Sequence, residues 1–316
     1  MVTGRPSLRL ATRGSPLARW QADRVAGLLA AAGVETSLVV VETEGDRRTD
    51  VPIQALGGQG VFVKEVQAAV ARGDADAAVH SAKDLPAAPE AQVPGLVLAA
   101  FPERADPRDL LVGARLDTLP AGALVATGSA RRRVQLANLR PDLLFCDLRG
   151  NLATRLAAVD DVTAVVVAAA GVDRLAWTPP SGVEVERLEL GVMLPQVGQG
   201  ALAVECRADD DRTRTALGAI DDVAVRRAVE AERAFLAELG GGCTLPVGAH
   251  AVADPEAGLA LTGLVASDDG RVVLRHADRG ADPVALGRAV ARYLLDEAGA
   301  GGLGAWGPPG DAPGVG

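Results

Sequence analysis

The chain has 316 residues, 48% of them hydrophobic, which is ample for packed cores and points to two or three domains. A net charge of −9 argues against a nucleic-acid surface, and 3% aromatics is too few for base-stacking platforms. Any anionic ligand must therefore be met at a local, arginine-lined site. Three widely spaced cysteines give neither a disulfide framework nor a zinc-ligand spacing. The longest apolar run, residues 164–172, is too short to span a bilayer, and no secretory h-region follows Met1, so a cytoplasmic protein is expected.

In chain order, residues 8–11 read as a first strand that exits through Arg13 and Ser15. Ser15 is a good N-cap and Pro16 suits the first helical position; Leu17, Trp20, Val25, Leu28 and Leu29 then recur at helical spacing. Residues 37–41 are the next strand, followed by a polar turn holding Asp46 and a glycine loop with Gln59. That loop lacks the Lys-Ser/Thr of a phosphate loop. A helix is expected over 62–72 and a strand over 75–79, leading into His80-Ser81-Ala82-Lys83-Asp84-Leu85-Pro86. Lys83 is one of only two lysines, and Asp84 is adjacent to it. Taken alone, such a pair reads as a solvated surface pair at least as readily as a catalytic one.

After a strand at 96–100, the charged, Pro-containing segment 103–109 reads as a crossover into a second domain. There the strand–helix rhythm repeats, with strands at 123–126, 143–146 and 162–168 and helices at 130–139 and 152–159. Such alternation implies parallel sheets with right-handed crossovers. The glycine-rich segment 194–201 reads as the return to the first domain, with a strand at 202–206. From Asp221 the pattern changes to one helix, three strands (247–253, 259–266, 271–276) and a last helix capped by Asp282-Pro283. The expected division is 1–101 with 197–218, then 102–196, then an α+β domain over 219–298, with a disordered tail from Gly299.

Three strand exits share one design: Arg13 with Ser15, Thr127 and Ser129 with Arg131 and Arg132, and Arg149 and Asn151 with Arg155. Helix N-termini offer unpaired N–H groups, and arginine adds a bidentate fork for carboxylate or phosphate. Each exit alone is an ordinary cap beside a solvated arginine; three together point to a cleft for a ligand with several anionic groups. Cys243, in Gly241-Gly242-Cys243-Thr244-Leu245-Pro246, sits in a loop, where an exposed thiol serves as nucleophile or attachment point. His80 reads as a structural hydrogen-bonding group. A non-catalytic receptor for a polycarboxylate is the competing reading, and Asp84 and Cys243 are what it would not need. A dinucleotide enzyme is excluded, since no Gly-x-Gly-x-x-Gly follows a strand.

The stretches at 11–18, 79–84, 127–132, 148–155 and 241–246 together resemble the porphobilinogen deaminases, also called hydroxymethylbilane synthases, over residues 8 to about 298. The resemblance implies two α/β domains of the periplasmic-binding-protein type with mainly parallel sheets, plus a third α+β domain. It implies a dipyrromethane cofactor in thioether linkage to Cys243, and head-to-tail condensation of four porphobilinogen molecules with loss of ammonia, then hydrolytic release of hydroxymethylbilane. Asp84, with Lys83, takes the catalytic position, facing the cationic azafulvene-like species that loss of ammonia leaves. To the cofactor it assigns Ser81, Lys83, Thr127, Ser129, Arg131 and Arg132, with Arg149, Gly150 and Asn151. To the substrate's carboxylates it assigns Arg13, Ser15, Gln21, Arg155, Arg174 and Gln199, Arg149 serving both. From charge and apolar patterning, a monomer that binds neither nucleic acid nor membrane is expected. Two residues depart from the family's habit: Gln59 stands where lysine is frequent, and Gly128 where serine is common.

Overall fold

The computed structural model describes residues 7–42, 63–240 and 245–303. The chain gathers into two compact units, Met1–Pro86 with Ala91–Ala105 and Gly200–Arg226, and Ala87–Glu90 with Asp106–Gln199 and Arg227–Gly316.

The first unit is built on β1 (Ser7–Arg13), β2 (Glu35–Val41), β3 (Ala77–Ser81), β4 (Leu96–Ala100) and β10 (Leu202–Arg207), ordered β2-β1-β3-β10-β4. β1 is parallel to β2 and β3, whereas β10 is antiparallel to β3 and β4. Side chains alternate between two cores: Leu8, Leu10 and Val79 join one with Val25 and Leu29, while Ala11 and Ala78 join the other with Val66 and Val70. Both faces are covered, which is why these strands read as unbroken apolar runs. Helix α1 (Pro16–Ala31) starts where the cap predicts, the Ala18 N–H donating to Ser15 Oγ at 3.3 Å. Helix α2 (Lys64–Ala71) supplies Val66 and Val70.

β3 lies two residues further along than the strand expected over 75–79, so His80 and Ser81 belong to the strand. Its ladder with β10 pairs His80 with Ala203 and Ser81 with Leu202. A partner so distant in sequence leaves no mark in the local pattern. Lys83 and Asp84 follow on a single 3-10 turn, Ala82–Asp84.

The second unit contains a matching sheet of β5 (Asp109–Gly113), β6 (Leu124–Ala126), β7 (Leu144–Cys146), β8 (Ala164–Ala168) and β9 (Glu184–Leu188), ordered β7-β6-β8-β5-β9. β6 is parallel to β7 and β8, and β5 is antiparallel to β8 and β9. The expectation of mainly parallel sheets is thus refined: each is mixed, with four strands running one way and a single reversed strand between the third and fourth of them. Neither β5 nor β9 is evident in the sequence reading, which placed 103–109 in a crossover. Helices α3 (Ala130–Leu139), α4 (Leu152–Ala157) and α5 (Ala169–Arg174) follow β6, β7 and β8, while α6 (Asp211–Gly218), in the first unit, was also unforeseen.

The same unit holds an antiparallel sheet of β11 (Val247–Asp254), β12 (Gly258–Ala266) and β13 (Val273–Gly280). Helices α7 (Val223–Glu238) and α8 (Pro283–Arg292) share its core, with Phe235, Leu261, Val290 and Leu294 fully buried. Two glycines permit the close approach. A Cβ on Gly263 would lie 2.6 Å from the Phe235 ring, and one on Gly287 2.3 Å from the Ala231 carbonyl oxygen. The disorder expected from Gly299 begins too early: Ala300 is fully buried in this core and Leu303 packs against it. Residues 304–316 lie outside the described residues. No helix among the described residues is long and apolar enough to cross a membrane.

Candidate active site

In the first unit, neighbouring parallel strands β1 and β3 end side by side, the usual place for ligands in an α/β sheet. Their exits line a cavity with Arg13, Ser15, Gln21, His80, Ser81 and Asp84. Gln21 reaches it from α1, buried, and its Nε2 donates to Ser81 Oγ at 2.8 Å. That bond ties the first helix to the end of β3 and orients both polar groups. Thr12 is also buried, its Oγ1 donating to the Ala18 carbonyl at 3.1 Å, which fixes the turn carrying Arg13. Asp84 lines the cavity from the 3-10 turn, half-buried; Lys83, on the same turn, is not among the lining residues.

His80, buried in the wall of this cavity, has its Nε2 3.5 Å from Glu205 Oε2. Gln67 Nε2 donates to the same oxygen at 2.9 Å. Glu205 and Gln67 were not singled out from sequence.

In the second unit, β6 leads into Thr127 and Ser129. The Thr127 N–H donates to the Cys146 carbonyl at 3.0 Å, and the Ser129 N–H to Thr127 Oγ1 at 3.3 Å. The Gly128 departure has a structural counterpart: a Cβ there would lie 2.7 Å from the Leu148 carbonyl oxygen, so this exit packs tightly against the next one. At that next exit Gly150 has φ +90°, a left-handed conformation suited to glycine. Asn151 caps α4 by accepting from the Thr154 N–H at 3.0 Å, and Arg155 Nε donates to the Gly150 carbonyl at 2.9 Å. Arg149 is half-buried beside them, and Arg174 is buried at the end of α5.

Arg131 and Arg132 are both buried at the start of α3, where two adjacent cations demand a counter-charge. Asp109, fully buried at the head of β5, supplies it. Its Oδ2 lies 2.8 Å from Arg131 Nη1, and its Oδ1 accepts from Arg132 Nε at 3.1 Å and Nη2 at 2.8 Å. Gln199, also fully buried, donates from Nε2 to the same Oδ1 at 2.8 Å and to the Pro107 carbonyl at 2.7 Å. Burial pushes the Asp109 carboxyl up, but the two guanidiniums outweigh it and hold it well below the usual carboxylate range. Burial is also the main influence on Arg131, lowering it from the ordinary arginine value despite the neighbouring carboxylate. Sequence reading left Asp109 in a charged crossover. The available signal was an aspartate opening the apolar run Leu110-Leu111-Val112, since a charge leading into a buried strand needs partners.

The structure thus assembles Arg13, Ser15, Gln21, Ser81 and Asp84 in one unit, and Arg131, Arg132 and Gln199 around Asp109 in the other. Thr127, Ser129, Gly150, Asn151 and Arg155 occupy the two strand exits. Cys243, Asp46 and Gln59 lie outside the described residues.

The family model described as porphobilinogen deaminase, dipyromethane cofactor binding domain, matches residues 8–215, and that for the porphobilinogen deaminase C-terminal domain matches 226–296. The porphobilinogen deaminase of Acidothermus cellulolyticus is 47% identical over 299 residues, covering 91% of this chain and 88% of that protein. Those of Brevibacillus brevis and Roseiflexus sp. are 44% and 46% identical, covering 91% and 93% of this chain and 93% and 97% of their own. Among solved structures, a methionine-bound nutrient binding protein from Burkholderia cenocepacia overlays on 69% of this chain and 93% of its own, with 14% identity and a TM-score of 0.43.

Proposed function

This chain belongs to the porphobilinogen deaminase family, and from that premise we propose which of its residues carry the reaction. The enzyme is a transferase: it joins four porphobilinogen molecules head to tail with loss of ammonia on a dipyrromethane primer, then releases hydroxymethylbilane by hydrolysis. The described residues suit such a primer. Arg131 is buried with Nε and Nη2 lacking a hydrogen-bond partner among the described residues, and a carboxylate on a pyrrole side chain would satisfy both donors. When bound, the dipyrromethane supplies the pyrrole carbon to which the first substrate unit is joined.

The observation that carries the assignment is the placement of Asp84 in a cavity with Arg13, Ser15, Gln21 and Ser81. Arg13 and the two hydroxyls bind and orient a pyrrole's acetate or propionate, with Gln21 holding Ser81 in place. Asp84 is the catalytic carboxylate: it accepts from the pyrrole N–H and stabilises positive charge as ammonia leaves. Lys83, on the same turn, adds a cation for the cofactor's carboxylates. Thr127, Ser129, Arg131, Arg132, Arg149, Gly150 and Asn151 hold the cofactor, whose thioether is to Cys243. Arg149, Arg155, Arg174 and Gln199 serve the substrate and the lengthening chain.

The reading includes a third domain over 219–298 that carries the cofactor loop, and a cytoplasmic monomer. Free Cys146 and Cys206 and the sparse cysteine content agree with a reducing compartment. Asp84→Asn tests the centre of the proposal. Holoenzyme should form with its normal mass while kcat falls by roughly a hundredfold or more, the range for losing one preorganised electrostatic group. Wild-type turnover in that variant would remove Asp84 from the mechanism.

A further inference from the structure

Adjacent arginines at the start of a helix point about 100° apart, so it is unusual for both to meet one carboxylate. Here the head of β5 lies beneath the first turn of α3, and Asp109 receives both. Their remaining bonds differ. Arg132 commits every nitrogen inside the protein: Nε and Nη2 to Asp109 Oδ1, and Nη1 to the Val166 carbonyl at 3.0 Å. Arg131 commits only Nη1, which lies 2.8 Å from Asp109 Oδ2 and donates to the Leu194 carbonyl at 2.7 Å. Its Nε and Nη2 have no hydrogen-bond partner among the described residues although they are inaccessible to water. Two cations against one anion leave a positive charge in the interior, on the side chain that still has donors to give.

We propose that Asp109 is a positioning residue for the pyrrole-carboxylate site: it anchors Arg132 and one edge of Arg131, so that the opposite edge, Nε and Nη2, meets a ligand carboxylate as a fixed two-donor fork. The inference rests on the reading of Arg131 as a contact to the cofactor's carboxylates. It divides the labour between neighbours that sequence cannot distinguish. Within the set that holds the cofactor, Arg132 acts through Asp109, and Arg131 by direct contact. Gln199 belongs to the supporting set, because its amide is bonded to the same Asp109 oxygen.

Asp109→Asn keeps the shape, removes the charge and turns an NH2 group toward one of the guanidiniums. Apo-protein of this variant, given porphobilinogen, should acquire the dipyrromethane mass about tenfold more slowly than wild type, as expected for a charge-assisted fork that is no longer held. Its holo form should show a porphobilinogen KM raised by a similar factor, with kcat much less affected. In an Arg131→Leu background, adding Asp109→Asn should change loading no further, because the residue through which it acts is gone. Wild-type loading in Asp109→Asn beside impaired loading in Arg131→Leu would overturn the role of Asp109 alone; wild-type loading in Arg131→Leu would overturn the reading beneath it as well. Should Asp109→Asn not fold, the pair Asp109→Leu with Arg132→Met removes the buried ion pair as a unit and preserves packing. That protein should fold and still load slowly, and rapid loading would sink the inference.

Discussion

Gly27 and Gly287 both lie inside helices, yet the same substitution, glycine to alanine, should act with opposite sign at the two. At Gly27, in α1, an added Cβ would have no atom within 4 Å. Only the backbone term operates there, and replacing a helical glycine should stabilise by about 0.5–1 kcal/mol. At Gly287, in α8, the new Cβ would sit 2.3 Å from the Ala231 carbonyl oxygen, 2.7 Å from the Phe235 nitrogen and 2.8 Å from the Ala234 Cβ. These are α7 backbone atoms and a stub side chain, so no rotamer change relieves the clash. The helices must part by roughly 1 Å, and overpacking of this kind costs about 1–3 kcal/mol or more. Phe235 cannot absorb the shift by moving toward β12, because it already fills the space over Gly263. After the propensity gain is subtracted, Gly287→Ala should destabilise by about 1–2 kcal/mol. Calorimetry should show the affected transition lowered by roughly 2–4 °C per kcal/mol and Gly27→Ala raising its own. Equal shifts of the same sign in both variants would refute the packing argument. Neither glycine touches the cavity of Asp84, so turnover of the folded holoenzymes should match wild type.

Three further outcomes follow from the same observations. Intact mass of the purified protein should show an adduct of two linked pyrroles that is lost in Cys243→Ser; an unmodified wild-type chain from a host able to make porphobilinogen would contradict the attachment. Burial would push Asp76 up, but the Arg9 guanidinium and backbone N–H, at 2.8 and 2.7 Å, hold its carboxyl below the usual range. The stability it contributes is therefore present above the unfolded carboxylate value, about pH 4, and is lost as pH falls through the lowered one. Asp76→Asn should be less stable than wild type at neutral pH, with the gap closing in acid; a gap that does not depend on pH would reject that pair as its source. Burial, reinforced by Asp210, pushes the Cys206 thiol up to about 11. In native protein at pH 8, thiol reagents should modify half-exposed Cys146 well before Cys206, and equal rates would place Cys206 elsewhere than the core.

Features written in neighbouring residues could be read without a structure. The Ser15, Asn151 and Asp282 caps, the strand–helix rhythm and the arginines gathered at strand exits all depend on spacings within one turn or one strand. The polar run around Asp84 was likewise legible, since it directly follows an apolar strand and closes on a proline, and it does line a cavity. Pairing and burial were not. That His80 and Ser81 continue β3 is decided by Leu202 and Ala203, that Asp109 opens a reversed strand is decided by β8 and β9, and that Arg131 and Arg132 share its charge depends on the seating of α3 over that strand. A one-dimensional pattern records which residues prefer an apolar or a charged setting. Only the packed chain settles which distant group answers a buried charge, since desolvation makes that partnership obligatory without fixing where in the sequence the partner must stand.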